Sequence, residues 1–355
     1  MASEMIKALE DLEKEKGIKK DYMLDRISQA LVAAYKALYK RDPQSAPLDN
    51  VFVHIDEETG AITMHAVKTV VEEVLNAAAE MTLEEAKAYS KDPQLGDEIR
   101  IDVKTKDFGR IATSPAKQVI IQGIREAERG MVYESYSNKA QELLTGTVLR
   151  LDPSGDILVT VGTGNEQHNA ILRSSEQIPG ESYREGDKIR VYVLEARQGA
   201  RSTNVYVSRT HPNLVRRLFE LETPEIADGQ VEIRNIAREA GSRSKMAVRA
   251  TAEGVDPVGA CVGPRGGRVG AVVEELHGEK IDIVVWSEDP CEYVRAALSP
   301  ADVLSVEPIP GQKACRVVVP DDQLSLAIGK EGQNARLAAK LTGFKIDIKP
   351  QSQAE

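Results

Sequence analysis

Gly263-Pro264-Arg265-Gly266 and Gly329-Lys330-Glu331-Gly332 are two copies of one short pattern, about 65 residues apart. Each copy follows a short apolar stretch and precedes a longer amphipathic stretch, a glycine and a Lys-Ile-Asp-Ile segment at 280–283 or 345–348. A single Gly-x-x-Gly carries little information, because glycine is a common residue. Two copies in the same context predict a duplicated module, in which a short helix, a glycine loop, a longer helix and a strand follow one another.

The loops have the chemistry of a phosphate site. Glycines end the first helix and let a ligand approach the backbone, which a Cβ atom would hinder. The next helix points free N–H groups and its positive dipole end into the loop. The pattern resembles the KH module, which clamps about four nucleotides of single-stranded nucleic acid. The candidate RNA-binding residues are Gly263, Pro264, Arg265, Gly266 and Arg268 in the first copy and Gly329, Lys330, Glu331, Gly332 and Arg336 in the second.

Neither loop is an ideal phosphate site. Pro264 has no N–H group to donate, and Glu331 is an anion. We therefore expect each module to bind RNA weakly. Two linked modules offset this, because binding of the first raises the effective concentration of the strand at the second. The alternative interpretation is that each loop is an ordinary turn between two helices, with basic residues present because surfaces carry charge.

Composition narrows the classes of function. The 355 residues have room for two to four domains. Aromatic residues make up 4% of the chain, so base stacking cannot dominate affinity throughout. The net charge of -10 argues against a protein that coats nucleic acid without specificity. Acidic residues are concentrated in residues 1–100, whereas residues 234–268 are basic.

The sequence shows no pattern typical of an enzyme or a metal site. Cys261, Cys291 and Cys315 lack metal-site spacing and are odd in number, which favours reduced packing residues in a cytoplasmic protein. No apolar run approaches the roughly 18 residues that a membrane helix needs. The five histidines form no known catalytic pattern. We therefore expect no catalytic residues, no cofactor, no metal and no membrane association.

Periodicity predicts a multidomain α+β chain. An α/β head at 1–138 begins with helices at 4–16 and 20–40 and ends with a helix at 110–138. In that last helix Ile120, Ile124, Ala127 and Met131 form an apolar stripe. The predicted domains after the head are an OB-fold barrel at 139–210, a first KH domain with a preceding helix at 211–289, a second KH domain at 290–350 and a tail at 351–355. Both KH domains are expected to be of type II.

The barrel is predicted from short, evenly spaced strands at 144–151, 156–161, 169–173, 188–195 and 204–208. It resembles the S-one family of RNA-binding barrels, with Gly146-Thr147-Val148 opening its first strand. Such barrels usually stack bases on aromatic residues of the central strands. Here those strands carry none, and only Tyr183, Tyr192 and Tyr206 lie nearby. We expect a weak contribution of the barrel to RNA affinity.

The order of the domains resembles the NusA family of bacterial transcription elongation factors. The segments that carry the resemblance are Phe108-Gly109-Arg110-Ile111-Ala112, Pro212-Asn213-Leu214-Val215, Val255-Asp256-Pro257-Val258-Gly259-Ala260-Cys261 and Gln323-Leu324-Ser325-Leu326-Ala327-Ile328-Gly329-Lys330. The resemblance implies that the head binds core RNA polymerase near the RNA exit channel, while the barrel and the KH pair receive nascent single-stranded RNA. It implies a monomeric, cytoplasmic and non-catalytic factor that modulates pausing, termination and antitermination, together with other antitermination factors.

Two other classes stay open on sequence grounds. Exoribonucleases of the polynucleotide phosphorylase type also combine KH and S-one modules, but in the reverse order and with a catalytic core. A ribosome assembly protein could use the same modules as structural connectors. Such proteins are usually basic, whereas this chain is acidic.

Overall fold

The computed structural model describes residues 2–39, 50–103, 108–164, 167–199 and 202–353. Side chains are described in these ranges except at 2–4, 37–39 and 108–117. The chain divides into two compact units, residues 1–132 and 133–355. The finer domain boundaries that the sequence predicts stay a prediction, because compactness separates only these two units.

The first unit combines helices with a small sheet. Its elements are α1 (Ala2–Lys16), α2 (Lys20–Tyr39), β1 (Val51–Ile55), β2 (Ile62–Val71), β3 (Glu80–Thr82), α3 (Leu83–Ala86), β4 (Glu98–Asp102) and most of α4 (Phe108–Asn138). Strand β2 pairs antiparallel with β1 and β4 and parallel with β3. The predicted stripe of α4, from Ile120 to Met131, packs on the core of α1 and α2, which confirms that assignment.

The second unit begins with a closed five-stranded barrel. Its strands are β5 (Leu143–Leu151), β6 (Ile157–Val161), β7 (His168–Leu172), β8 (Lys188–Gln198) and β9 (Thr203–Ser208), in the order β5-β6-β7-β9-β8. Val159, Val191 and Val205 are fully buried inside it. Gly146 allows the close packing, because a Cβ atom there would lie 2.4 Å from the Cγ1 atom of Val159. The predicted barrel is confirmed, with every strand end within three residues of its predicted position.

Two modules with the same sheet topology follow the barrel. The first contains α5 (Pro212–Glu222), α6 (Pro224–Ala227), β10 (Val231–Glu239), β11 (Arg243–Ala250), α7 (Pro257–Val262), α8 (Gly267–Glu275) and β12 (Lys280–Val285). The second contains α9 (Pro290–Ala297), β13 (Ser305–Pro308), β14 (Ala314–Val319), α10 (Leu324–Ile328), α11 (Gln333–Thr342) and β15 (Lys345–Pro350). In each sheet the first two strands are antiparallel and the third runs parallel to the middle strand. This is the type II KH arrangement that the sequence predicts.

The two KH modules share a hydrophobic core. One face of the first sheet packs on its own helices, and the other face contributes Ala247 and Val284 to a cluster with Val294 and Leu337 of the second module. The amide of Asn235 on β10 donates to the carbonyl oxygen of Leu341 in α11 over 3.1 Å. Burial of apolar area and a directional hydrogen bond together hold the second module on the first in one orientation.

Candidate nucleic-acid interface

The two glycine loops have the same backbone conformation. Gly263 and Gly329 have φ values of 72° and 78° with ψ values of 175° and 170°. The third loop residue, Arg265 or Glu331, has a φ of 54° in both copies. A residue other than glycine with positive φ is uncommon and costs free energy, and such conformations cluster at ligand sites. The duplication in sequence is therefore also a duplication in conformation.

The first glycine of each loop cannot be replaced without moving its neighbours. A Cβ atom on Gly263 would lie 2.6 Å from Cγ of Arg268, and one on Gly329 would lie 2.8 Å from both Cβ and the backbone nitrogen of Asn334. Around the last glycine of each loop, no neighbouring atom would lie within 4 Å of an added Cβ atom. These last glycines are therefore needed for their left-handed backbone alone.

No side chain caps the N-termini of the two helices that follow the loops. Helix α7, which leads into the first loop, is capped by Asp256, whose side chain accepts from the N–H of Val258 over 3.1 Å. By contrast, the N-cap residues of α8 and α11 are Gly266 and Gly332, and neither helix has a side-chain cap. The first-turn N–H groups of a helix have no partner inside it. The first of them is already bonded at both loops, where the N–H of Gly267 donates to the carbonyl oxygen of Pro264 and the N–H of Gln333 donates to that of Lys330. No side chain covers either helix end, and the helix dipole there favours an anion.

Exposed side chains surround the loops. Pro264, Arg265, Lys330 and Glu331 are all exposed, so a strand of nucleic acid can reach both cations. Before the second loop, the apolar side chains of Leu326 and Ile328 are 44% and 38% exposed. Apolar surface beside a phosphate site suits the faces of unpaired bases. The sequence prediction missed these two residues, although their apolar type in a short helix before the loop was a usable signal.

Arg268 and Arg336 are already paired with carboxylates. Arg268 donates through Nη1 to Glu225 over 2.8 Å and to the carbonyl oxygen of Ala260 over 2.6 Å. Arg336 donates through Nε to Glu239 over 2.7 Å. Their predicted contact with RNA stays a prediction, but neither is a free cation in this structure. The sequence could not show this, because the carboxylates lie 43 and 97 residues away along the chain.

Asn334 supports the second loop and was not identified from the sequence. Its side chain is buried, and its amide nitrogen donates over 3.0 Å to the carbonyl oxygens of both Leu298 and Ala327. Asn334 and Arg268 occupy the same position, five residues after the first glycine of their loops. Each bonds a carbonyl of the helix before the loop, so a polar residue at this position fixes the loop in both modules.

The barrel offers little stacking surface. Tyr192 is buried under α5, and its ring stacks on His211 with centroids 4.6 Å apart. The hydroxyl of Tyr183 donates to Glu181, and burial together with that bond raises the pKa of Tyr183. Tyr206 is partly exposed, and the Arg173 guanidinium carbon lies 4.1 Å from the centre of its ring. Tyr183 and Tyr206 are therefore partly exposed, and each already contacts a charged side chain. A weak contribution of the barrel to RNA affinity stays a prediction.

Cys261 and Cys315 fit the buried packing role predicted for the cysteines, whereas Cys291 is only partly buried. Cys261 and Cys315 are buried, and all three cysteines are free. Burial raises the pKa of Cys261 to about 12, so its thiol stays protonated. In the part of the chain that the structure describes, no group of three His, Cys, Asp or Glu side chains is placed to hold a metal ion. No described helix combines the length and apolar character needed to cross a bilayer.

Three regions of the chain match known protein families. They are the NusA N-terminal domain at residues 4–130, the NusA-like first KH domain at 209–286 and the NusA-like second KH domain at 290–355. The transcription termination/antitermination protein NusA of Bacillus subtilis is 50% identical over 354 residues, which cover 100% of this chain and 92% of that protein. The transcription termination/antitermination protein NusA of Thermus thermophilus is 42% identical over 350 residues, which cover 98% of this chain and 89% of that protein. The solution structure of the N-terminal domain of NusA from B. subtilis is 45% identical in sequence. The match covers 37% of this chain and 100% of that domain, with a TM-score of 0.31.

Proposed function

Because this chain belongs to the NusA family of transcription termination/antitermination proteins, we propose that it binds nascent single-stranded RNA and regulates elongation and termination by RNA polymerase. The observation that carries the RNA-binding part is the pair of loops with one backbone conformation, each opening onto an uncapped helix. Full-length relatives are transcription proteins, so the exoribonuclease and ribosome assembly alternatives are not retained.

RNA binding by this chain is proposed to be phosphate-led and bivalent. Each loop takes a phosphate on its helix N-terminus, and each module holds about four nucleotides. The shared core supports this proposal, because it keeps the two loops at a fixed separation without an entropy cost at binding. One strand of about eight to ten nucleotides would then bind both modules, with an affinity that neither reaches alone.

The partner proposed for the first unit is core RNA polymerase near its RNA exit channel. The acidic balance of residues 1–100 supports it, since a negative surface repels RNA and attracts a basic protein surface. The chain is proposed to act there as a monomer in the cytoplasm and without catalysis. Other antitermination factors are proposed as further partners.

A stalled elongation complex with an extended nascent transcript tests this function. We expect the full chain to co-purify with the complex and to cross-link to the transcript at both glycine loops. A variant with Arg265→Asp and Lys330→Asp should still co-purify with polymerase but lose most of the RNA cross-link, because the two contacts lie on different units. A chain that binds free RNA but is absent from washed elongation complexes would contradict the proposed role in transcription.

A further inference from the structure

Glu239, the last residue of β10 in the first module, lies beside the second glycine loop. Its carboxylate accepts from Nε of Arg336 over 2.7 Å, from Nη2 of Arg336 over 3.4 Å and from the side-chain amide of Gln333 over 2.8 Å. Through Nη1, Arg336 also donates to the carbonyl oxygen of Glu331 over 3.3 Å. The carboxylate of Glu239, in the first module, therefore forms an ion pair with the guanidinium of Arg336, which lies next to the glycine loop of the second module.

The two loops are electrostatically unequal, although beside each of them an arginine is paired with a carboxylate, Arg268 with Glu225 and Arg336 with Glu239. In the first loop Arg265 is exposed and no acidic residue lies within the loop. In the second loop the charge of Lys330 is opposed by Glu331, and the charge of Arg336 is opposed by Glu239. The hydrogen bonds from Arg336 and Gln333 lower the pKa of Glu239, so its carboxylate is ionised at neutral pH and well into the acid range.

We propose that Glu239 holds Arg336 away from bound RNA and thereby limits the grip of the second module on the phosphate chain. The inference rests on the RNA binding proposed above. Guanidinium binds carboxylate and phosphate through the same planar fork of N–H groups, so Glu239 and an RNA phosphate compete for one group. While Glu239 holds Arg336, the second module lacks this phosphate contact and releases the strand more readily than it would with Arg336 free.

Glu239→Gln tests the inference, because glutamine keeps an oxygen that can accept from Gln333 but has no charge to hold Arg336. We expect the affinity for a single strand of about ten nucleotides to rise about threefold at low salt. The plot of log K against log salt should become steeper by about 0.7, the contribution of one more phosphate contact to single-stranded RNA. Adding Arg336→Gln to this variant should return the slope to the wild-type value, and Arg336→Gln alone should leave it unchanged.

Glu220→Gln is the matched control. Glu220 accepts from Arg217 over 2.6 Å on α5, with side-chain exposures of 29% and 39%, against 24% and 49% for Glu239 and Arg336. Glu220→Gln changes the net charge by the same amount as Glu239→Gln but leaves the pair of Glu239 and Arg336 intact. We therefore expect the slope of log K against log salt to stay unchanged. The inference is overturned if Glu239→Gln weakens binding or leaves the slope unchanged, or if Arg336→Gln alone flattens it. A flat salt response of the wild-type chain would instead overturn the RNA-binding proposal itself.

Discussion

Replacing Arg265 and Lys330 together by aspartate is expected to lower the affinity for a single strand of about ten nucleotides about 100-fold. Each change replaces an attraction to phosphate by a repulsion, and 100-fold corresponds to about 2.7 kcal/mol for the pair. Both side chains are exposed. Aspartate also tolerates the left-handed backbone that residue 265 adopts. Filter binding or fluorescence anisotropy measures the loss.

The control for this experiment is the pair Arg316→Asp and Lys345→Asp. Both residues are exposed on the second module, on the face of its sheet opposite to the core that Ile346 and Ile348 contact. The net charge changes by the same amount, so a general electrostatic effect would weaken both variants equally. We expect the control to retain RNA binding within about threefold at physiological salt, where distant charges are screened. Equal losses in the two variants would remove the loops as the RNA site.

Replacing Arg209 by methionine is expected to destabilise the second unit by about 3–5 kcal/mol. The side chain is fully buried and donates to both carboxylate oxygens of Glu181, at 2.6 and 2.9 Å, and to Glu275 at 3.1 Å. Burial opposes its charge, but the bonds and charge of Glu181 outweigh this and raise the pKa of Arg209. Methionine would remove the guanidinium from Glu181, whose side chain is 1% exposed and would keep only the Tyr183 hydroxyl and the His277 ring as partners.

Calorimetry measures this effect as a lower unfolding temperature, by about 10 °C for a unit of this size. The chemical denaturation midpoint should fall with it. Arg197→Met is the control, because Arg197 is 60% exposed and its pair with Glu195 lies on the surface of the barrel. It should leave the unfolding temperature unchanged. An Arg209→Met chain as stable as the wild type would show that the buried ion pairs do not hold the barrel on the first KH module.

Local patterns allowed the elements to be predicted well. The barrel strands and the stripe of α4 follow periods of two and 3.6 residues, which depend only on neighbours along the chain. The glycine loops were found because their conformation requires glycine at fixed positions. That both loops share one conformation could be established only from the dihedral angles themselves.

Contacts between distant segments could not be predicted. Tyr192 has the pattern of a surface strand residue, but α5 covers it on the outside of the barrel. Glu239 and Arg336 are 97 residues apart, and nothing in either local pattern marks them as partners. Arg209 and Glu275 are similarly joined only by the packing of the barrel on the first module. The sequence therefore located the glycine loops but could not show which of the nearby cations are free.

The salt dependence of RNA binding by the unmodified chain is the decisive test of phosphate binding at the two loops. If two uncapped helix ends and their cations hold about four to six phosphates, log K should fall against log salt with a slope near -3 to -4. The titration requires a single strand long enough for both modules, measured between about 50 and 300 mM salt. A slope near zero would mean that the loops do not hold a phosphate chain, and RNA binding would then need another explanation.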